Sequence, residues 1–149
     1  MSTVFPVGKI PLEVMQRLLA FPIADPRVLV GPGIGMDAAV IEMGERCLVV
    51  KADPITFATE DIGWYAVQIN ANDLATTGAT PRWMLAILLL PEGHTDLDLV
   101  EAIFRQIRSA GEALGIALIG GHSEVTYGLD RPIVAGFMLG EVARERLVT

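Results

Sequence analysis

Three aspartates stand where packing alone would not put them. Asp37 follows the glycine-rich run Gly31-Pro-Gly-Ile-Gly-Met36, Asp53 directly precedes Pro54, and Asp73 falls on a stretch patterned as an apolar helix face. The stripe Ile62, Ala66, Ile69 continues at the next helical step onto Asp73, with Asn70 one turn before it on nearly the same face. A carboxylate buried there costs several kcal/mol unless it is paired or metal-bound. The plain alternative is a position at the helix rim, bonded to backbone. Taken singly, Asp37 and Asp53 also read as ordinary turn residues. Together, in a chain whose only lysines are Lys9 and Lys51, three such acids suit magnesium, which takes one or two carboxylates plus phosphate oxygens and waters.

A second constellation is Gly120-Gly121-His122-Ser123-Glu124, which follows an apolar run. Read as a turn, its consecutive backbone N–H groups cradle an anion. It fails as a hydrolase elbow, since the final glycine is lacking and no strand-turn-helix follows. The Gly31-x-Gly-x-Gly run does not have the dinucleotide-binding spacing, and there is no phosphate-binding loop ending in Gly-Lys-Ser/Thr. His94, His122 and Cys47 make no zinc spacing.

The elements that must position these residues follow from periodicity. Leu12, Met15, Leu18 and Leu19 after Pro11 predict a short helix, closed by Pro22 and Pro26. Ala38–Met43 and Cys47–Ala52 flank Gly44-Glu45 as a hairpin. Asp61–Thr77 predicts a helix with Thr59 as its cap and Gly78 as its stop. Leu85–Leu90 reads as a buried strand. A further helix starts at Thr95 or Asp96, carries Leu97, Val100, Phe104, Ile107, Ala110 and Leu114 on one stripe, and closes at Gly115. Ile116–Ile119 and Ile133–Val142 complete the strands. The reading is one α+β domain over residues 1–149, a mixed sheet packed on helices.

Composition narrows the function classes. Hydrophobic residues make up 52% and charged residues 19%, which excludes disorder. The net charge of −7 leaves no basic patch for nucleic acid. The longest apolar run, Trp83 to Pro91, is far short of the roughly 18 residues of a membrane span. The start of the chain has no signal-peptide pattern, so a cytoplasmic protein is expected. One cysteine, Cys47, excludes an intrachain disulfide. An acidic chain can still hold a polyphosphate when a divalent metal supplies the neutralising charge.

Taken in order, Gly35-Met-Asp-Ala-Ala-Val40, Ala52-Asp-Pro54, Asn70-Ala-Asn-Asp-Leu-Ala75 with Gly78-Ala-Thr-Pro81, and Gly120-Gly-His-Ser-Glu124 resemble the N-terminal ATP-binding domain of the aminoimidazole ribonucleotide synthetase (PurM-like) superfamily. That superfamily includes selenophosphate synthetase, thiamine monophosphate kinase and the hydrogenase maturation protein HypE. The resemblance covers about Lys9 to Val142. It implies two copies whose strands pair across a homodimer into a barrel, a state with which the high apolar content agrees. It implies ATP and magnesium, with Asp37, Asp53 and Asp73 as metal ligands. Asn70, Asn72, Gly120, Gly121, His122 and Ser123 would then contact phosphate, and Lys9 would lie on a segment reaching over the nucleotide.

Met36 stands where several relatives carry an acid, and His122 where kinase relatives carry aspartate. No reactive cysteine precedes the glycine loop, unlike in selenophosphate synthetases. HypE, which uses ATP to dehydrate a carboxamide on its own C-terminal cysteine, is the nearest branch. The expectation is a domain that activates a carbonyl or amide oxygen by phosphoryl transfer, with another maturation protein as a further partner. The chain ends at Val148-Thr149, where the family enters its second domain, and it has no C-terminal cysteine, so alone it would not complete that reaction. The alternatives are a non-catalytic dimerisation or regulatory module and a thiamine monophosphate kinase-like small-molecule kinase.

Overall fold

The computed structural model describes residues 4–148. It contains helices α1 (Leu12–Leu18), α2 (Ile62–Ala75) and α3 (Leu97–Leu114). The strands are β1 (Val28–Val30), β2 (Ala39–Met43), β3 (Arg46–Ile55), β4 (Thr80–Pro91), β5 (Ala117–Thr126) and β6 (Ile133–Ala143), with a short 3-10 turn at Arg144–Arg146. The six strands form one mixed sheet in the order β1-β2-β3-β6-β4-β5. The expected α+β class holds. Only β4 and β5 run parallel, because α3 carries the chain between them as a crossover. Among the described residues no helix is long and apolar enough to cross a membrane.

The β2–β3 hairpin closes at Gly44 and Glu45 as expected, with Met43 opposite Arg46. Gly44 has φ +78°, which a two-residue hairpin requires. β1 was not expected from the sequence. Its three residues are too few for a period-2 pattern, and it pairs with β2 across an irregular register. Asp25 fixes the approach to β1 by accepting from the backbone and guanidinium of Arg27, which hold its carboxyl down to about 2. A carboxylate lowered in the folded state contributes stability above its ordinary range and loses it as pH falls through the lowered value. A carbon-detected NMR titration is therefore expected to place Asp25 at about 2, and Arg27→Ala to return it towards the ordinary carboxylate range.

One face of the sheet is covered by helices at β4 and β6. Met84, Ala86, Leu88 and Leu90 of β4 and Val134 and Met138 of β6 alternate onto it as a strand requires. They meet Ile62, Ala66, Val67 and Leu74 of α2 in a single core with Ile103 and Ile107 of α3. α2 approaches α3 closely because position 63 is glycine: a Cβ there would lie 2.6 Å from the Ile103 carbonyl oxygen. The other face carries Trp83, Leu85, Ile87 and Leu89 with Phe137 and Leu139, all half-buried.

α3 starts and stops as predicted. Asp96 accepts from Leu99 N–H at 2.9 Å, and Gly115 closes the helix with φ +69°. Of the expected stripe, Ile107 and Ala110 are buried, Val100 and Phe104 half-buried, and Leu97 and Leu114 exposed, while Ile103, outside that stripe, is buried. α2 departs from expectation. Its cap is Asp61, in a left-handed conformation with no side-chain capping bond, rather than Thr59. The orphan N–H of Gly63 is satisfied from another helix, by Gln106 Oε1 at 2.9 Å.

β4 is longer than Leu85–Leu90, since Pro81 and Pro91 lie near its ends where a missing N–H is tolerated. The segment Gly120-Gly121-His122-Ser123 is not a turn. β5 continues straight through it, paired with Leu85 to Leu88 of β4. Between Met84 opposite Leu118 and Leu85 opposite Gly120, Ile119 is an extra residue, a bulge. The glycines beyond it have φ +157° and +150°.

Candidate functional site

β3 builds the site. Lys51 and Asp53 are two residues apart on one strand and so share a face, and α2 packs beside that strand with Asp73 on its near edge. The loop after β1 brings in Asp37. The Lys51 ammonium lies 3.1 Å from Asp53 Oδ2, 3.2 Å from Asp73 Oδ2 and 4.0 Å from Asp37 Oδ1. The lysine side chain is only 10% exposed, whereas the carboxylates of Asp37, Asp53 and Asp73 are 71%, 40% and 30% exposed. Three acids from three separate elements thus surround one buried cation and keep their outer sides open. Burial alone would lower the lysine pKa, and it is the largest single influence. The hydrogen bonds and charges of Asp53 and Asp73 together outweigh it, so the ammonium is held above its ordinary value.

This arrangement answers the question posed by Asp73. It does not lie within the apolar face of α2, which runs through Ile62, Ala66, Asn70 and Leu74, all fully buried. It stands at the rim, and its partner is Lys51. Sequence reading missed this lysine, although a signal was present: one of the chain's two lysines sits inside an apolar strand, two residues before an aspartate.

Asn70 has a different place from the one expected. It is completely buried. Its Oδ1 accepts from Asp53 N–H at 2.9 Å, and its Nδ2 donates to the Ala66 carbonyl at 2.8 Å and the Asp53 carbonyl at 3.3 Å. The pairing of β2 with β3 ends where Ala39 faces Val50, so beyond that point the amide of Asn70 takes over the backbone of Asp53 as a neighbouring strand would. Its amide protons are spent on protein carbonyls, and the residue holds Asp53 rather than presenting itself to a phosphate. Gly136 on β6 makes room for it, since a Cβ there would lie 2.5 Å from Nδ2. Asn72 lies exposed on α2.

Lys9 and Asp53 line one cavity of about 920 Å³, together with Thr56, Phe57, Tyr65 and Arg131. The guanidinium of Arg131 is anchored there by donating to the Thr56 carbonyl at 2.8 Å. Such a volume accommodates a small-molecule ligand. Gly120, Gly121, His122 and Ser123 are not brought to this place. They lie on β5, three strand positions from β3 and hence roughly 14 Å away within the chain. There His122 and Glu124 pair at 3.0 Å on an exposed surface.

Whether the acids fit a metal follows from the same distances. Among the described residues no three His, Cys, Asp or Glu side chains stand close enough to enclose an ion between them. Magnesium, however, needs only one or two carboxylates when phosphate and water complete its shell. The group formed by three acids and Lys51 retains two formal negative charges, which one divalent cation balances. The donor set fits an open magnesium site that a phosphate completes.

Residues 35–142 match the family described as AIR synthase related protein, N-terminal domain. The chain belongs to that family. It is 34% identical over 128 residues to a putative hydrogenase expression/formation protein of Methanocaldococcus jannaschii, covering 80% of this chain and 38% of that protein. In structure it is similar to AaThiL complexed with AMPPCP and TMP, with a TM-score of 0.66 and 25% identity over 76% of this chain and 38% of that one. It is also similar to the hydrogenase maturation protein HypE in complex with ATP, with a TM-score of 0.59 and 26% identity over 85% of this chain and 38% of that one. The chain thus spans well under half the length of these relatives.

Proposed function

We propose that this domain binds ATP through magnesium held by one or two carboxylates of the group Asp37, Asp53 and Asp73, and that it serves a HypE-like protein in activating a carbonyl or amide oxygen by phosphoryl transfer. The observation that carries the reading is the convergence of the three acids, from loop, strand and helix, on the single point now held by Lys51. Bound magnesium would supply the charge that neutralises the phosphates. The chain's own part is to hold the carboxylates in place. Asn70 fixes the backbone of Asp53, and α2 fixes Asp73. The cavity beside Asp53, with Lys9 and Arg131 on its wall, admits the rest of the nucleotide. The relatedness to HypE in complex with ATP and to a hydrogenase formation protein supports the ATP and the branch.

A homodimer is part of the proposal. β5 is an edge strand, ten residues long, and the apolar sheet face of Trp83, Leu85, Ile87, Phe137 and Leu139 is only half-covered within one chain. A second copy pairing strands over that face would close it into a barrel.

The test is a calorimetric titration of ATP with and without magnesium, on the wild type and on Asp73→Ala and Asp53→Ala, with light scattering in the same buffers. Magnesium-dependent binding is expected in the wild type and a loss of at least tenfold in each variant. No heat at millimolar ATP from a folded dimer would overturn the nucleotide reading and leave a dimerisation module. Light scattering that reports a monomer would overturn the dimer.

A further inference from the structure

We infer that Lys51 is a built-in counter-ion that occupies the position a metal ion would take, and that a metal must displace it to bind. The inference rests on the metal half of the proposed function and goes beyond it.

The ammonium is in contact with Asp53 and Asp73 and within 4.0 Å of Asp37, so it sits at the focus of the three carboxylates. A divalent cation bound to the same oxygens would stand within a few ångström of a like charge. The two cations cannot share the focus. The lysine also explains how the acids remain assembled without metal: three carboxylates this close repel one another, and a fixed cation among them removes most of that repulsion. The four-carbon stem gives the ammonium freedom to leave when a metal arrives with its own phosphate, and a phosphate offers it a new partner. The domain would then bind metal weakly by itself and well only together with nucleotide. The protein's own cation makes the site selective for the metal–nucleotide complex over either free ion.

The experiment uses Mn²⁺ alone, followed by loss of its free EPR signal, on the whole chain without nucleotide. Magnesium is added afterwards as competitor. Wild type is expected to bind weakly. Lys51→Met, which keeps much of the stem's packing and removes the charge, is expected to bind at least tenfold more tightly, with magnesium competing. Lys51→Arg, which keeps the charge, is expected to remain within about threefold of wild type. Should Lys51→Met not fold, judged by circular dichroism, Lys51→Gln replaces it with the same expectation. Metal affinity that is unchanged or weaker in the folded neutral variant overturns the inference, as does tight Mn²⁺ binding by the wild type. Either result leaves the ATP titration free to succeed. Conversely, a wild type that never binds ATP beside a neutral variant that gains metal affinity would sink the nucleotide reading and keep this one.

Discussion

Asn70→Ala is expected to lower the stability of the domain by about 3 kcal/mol or more, a large share of the roughly 5–15 kcal/mol a domain of this kind holds. The reason lies in what the amide leaves behind. Its removal orphans the N–H and C=O of Asp53, which no strand covers at that point, and opens a space beneath Gly136. Urea denaturation measures the loss, and hydrogen exchange localises it: the Asp53 amide should become one of the faster-exchanging amides of β3. Asn70→Asp should fare no better, because a carboxylate keeps the acceptor, loses both donors and buries a charge. The alternative role is distinguishable. If Asn70 served as a phosphate contact, Asn70→Ala would weaken ATP binding and leave urea stability and the Asp53 amide unchanged.

How far the sequence shows this can be traced residue by residue. Asp37, Asp53 and Asp73 stood out as acids in places that packing does not ask for, and they do come together. Their neighbour Lys51 did not stand out, because a lysine in a strand normally reads as an edge or solvent-facing residue. Only the third dimension shows that its face is the one α2 covers. Asn70 stood out for the right reason, a polar group on an apolar face, but side chain to backbone bonds between residues seventeen apart leave no periodic trace. The helices α1 and α3 and the β2–β3 hairpin were legible because caps, stripes and turn glycines are local signals. β1 was too short to register. β5 departs from expectation at its glycines because two consecutive glycines usually mark a turn, and here the second marks a close approach between two strands.

The second large effect follows from that close approach. Gly121→Ala is expected to cost about 3 kcal/mol or more, because an added Cβ would run into the Ala86 carbonyl of β4 and because φ +150° disfavours any side chain. Gly120→Ala is the internal control. Its backbone is in the same region at φ +157°, yet the nearest atom to an added Cβ is Leu85 Cδ2 at 3.9 Å. It should carry the conformational cost alone, about 1–2 kcal/mol. The difference between the two, read by urea denaturation, reports the contact with β4. Equal costs would mean that β5 does not press on Ala86.

The bulge at Ile119 reaches further than the local pairing. Along a strand, odd and even positions belong to opposite sides of a sheet, and one supernumerary residue exchanges them for everything downstream. Up to Leu118, β5 keeps step with Met84; after the bulge, Gly121 and Ser123 line up with Ala86 and Leu88 on the helix-covered side. His122 and Glu124 therefore line up with Ile87 and Leu89 on the side the helices leave open. Without that one residue of offset, the imidazole and the carboxylate would line up with Leu88 and Leu90 on the helix side of the sheet instead. A single insertion thus decides which side of the sheet carries the only paired histidine among the described residues.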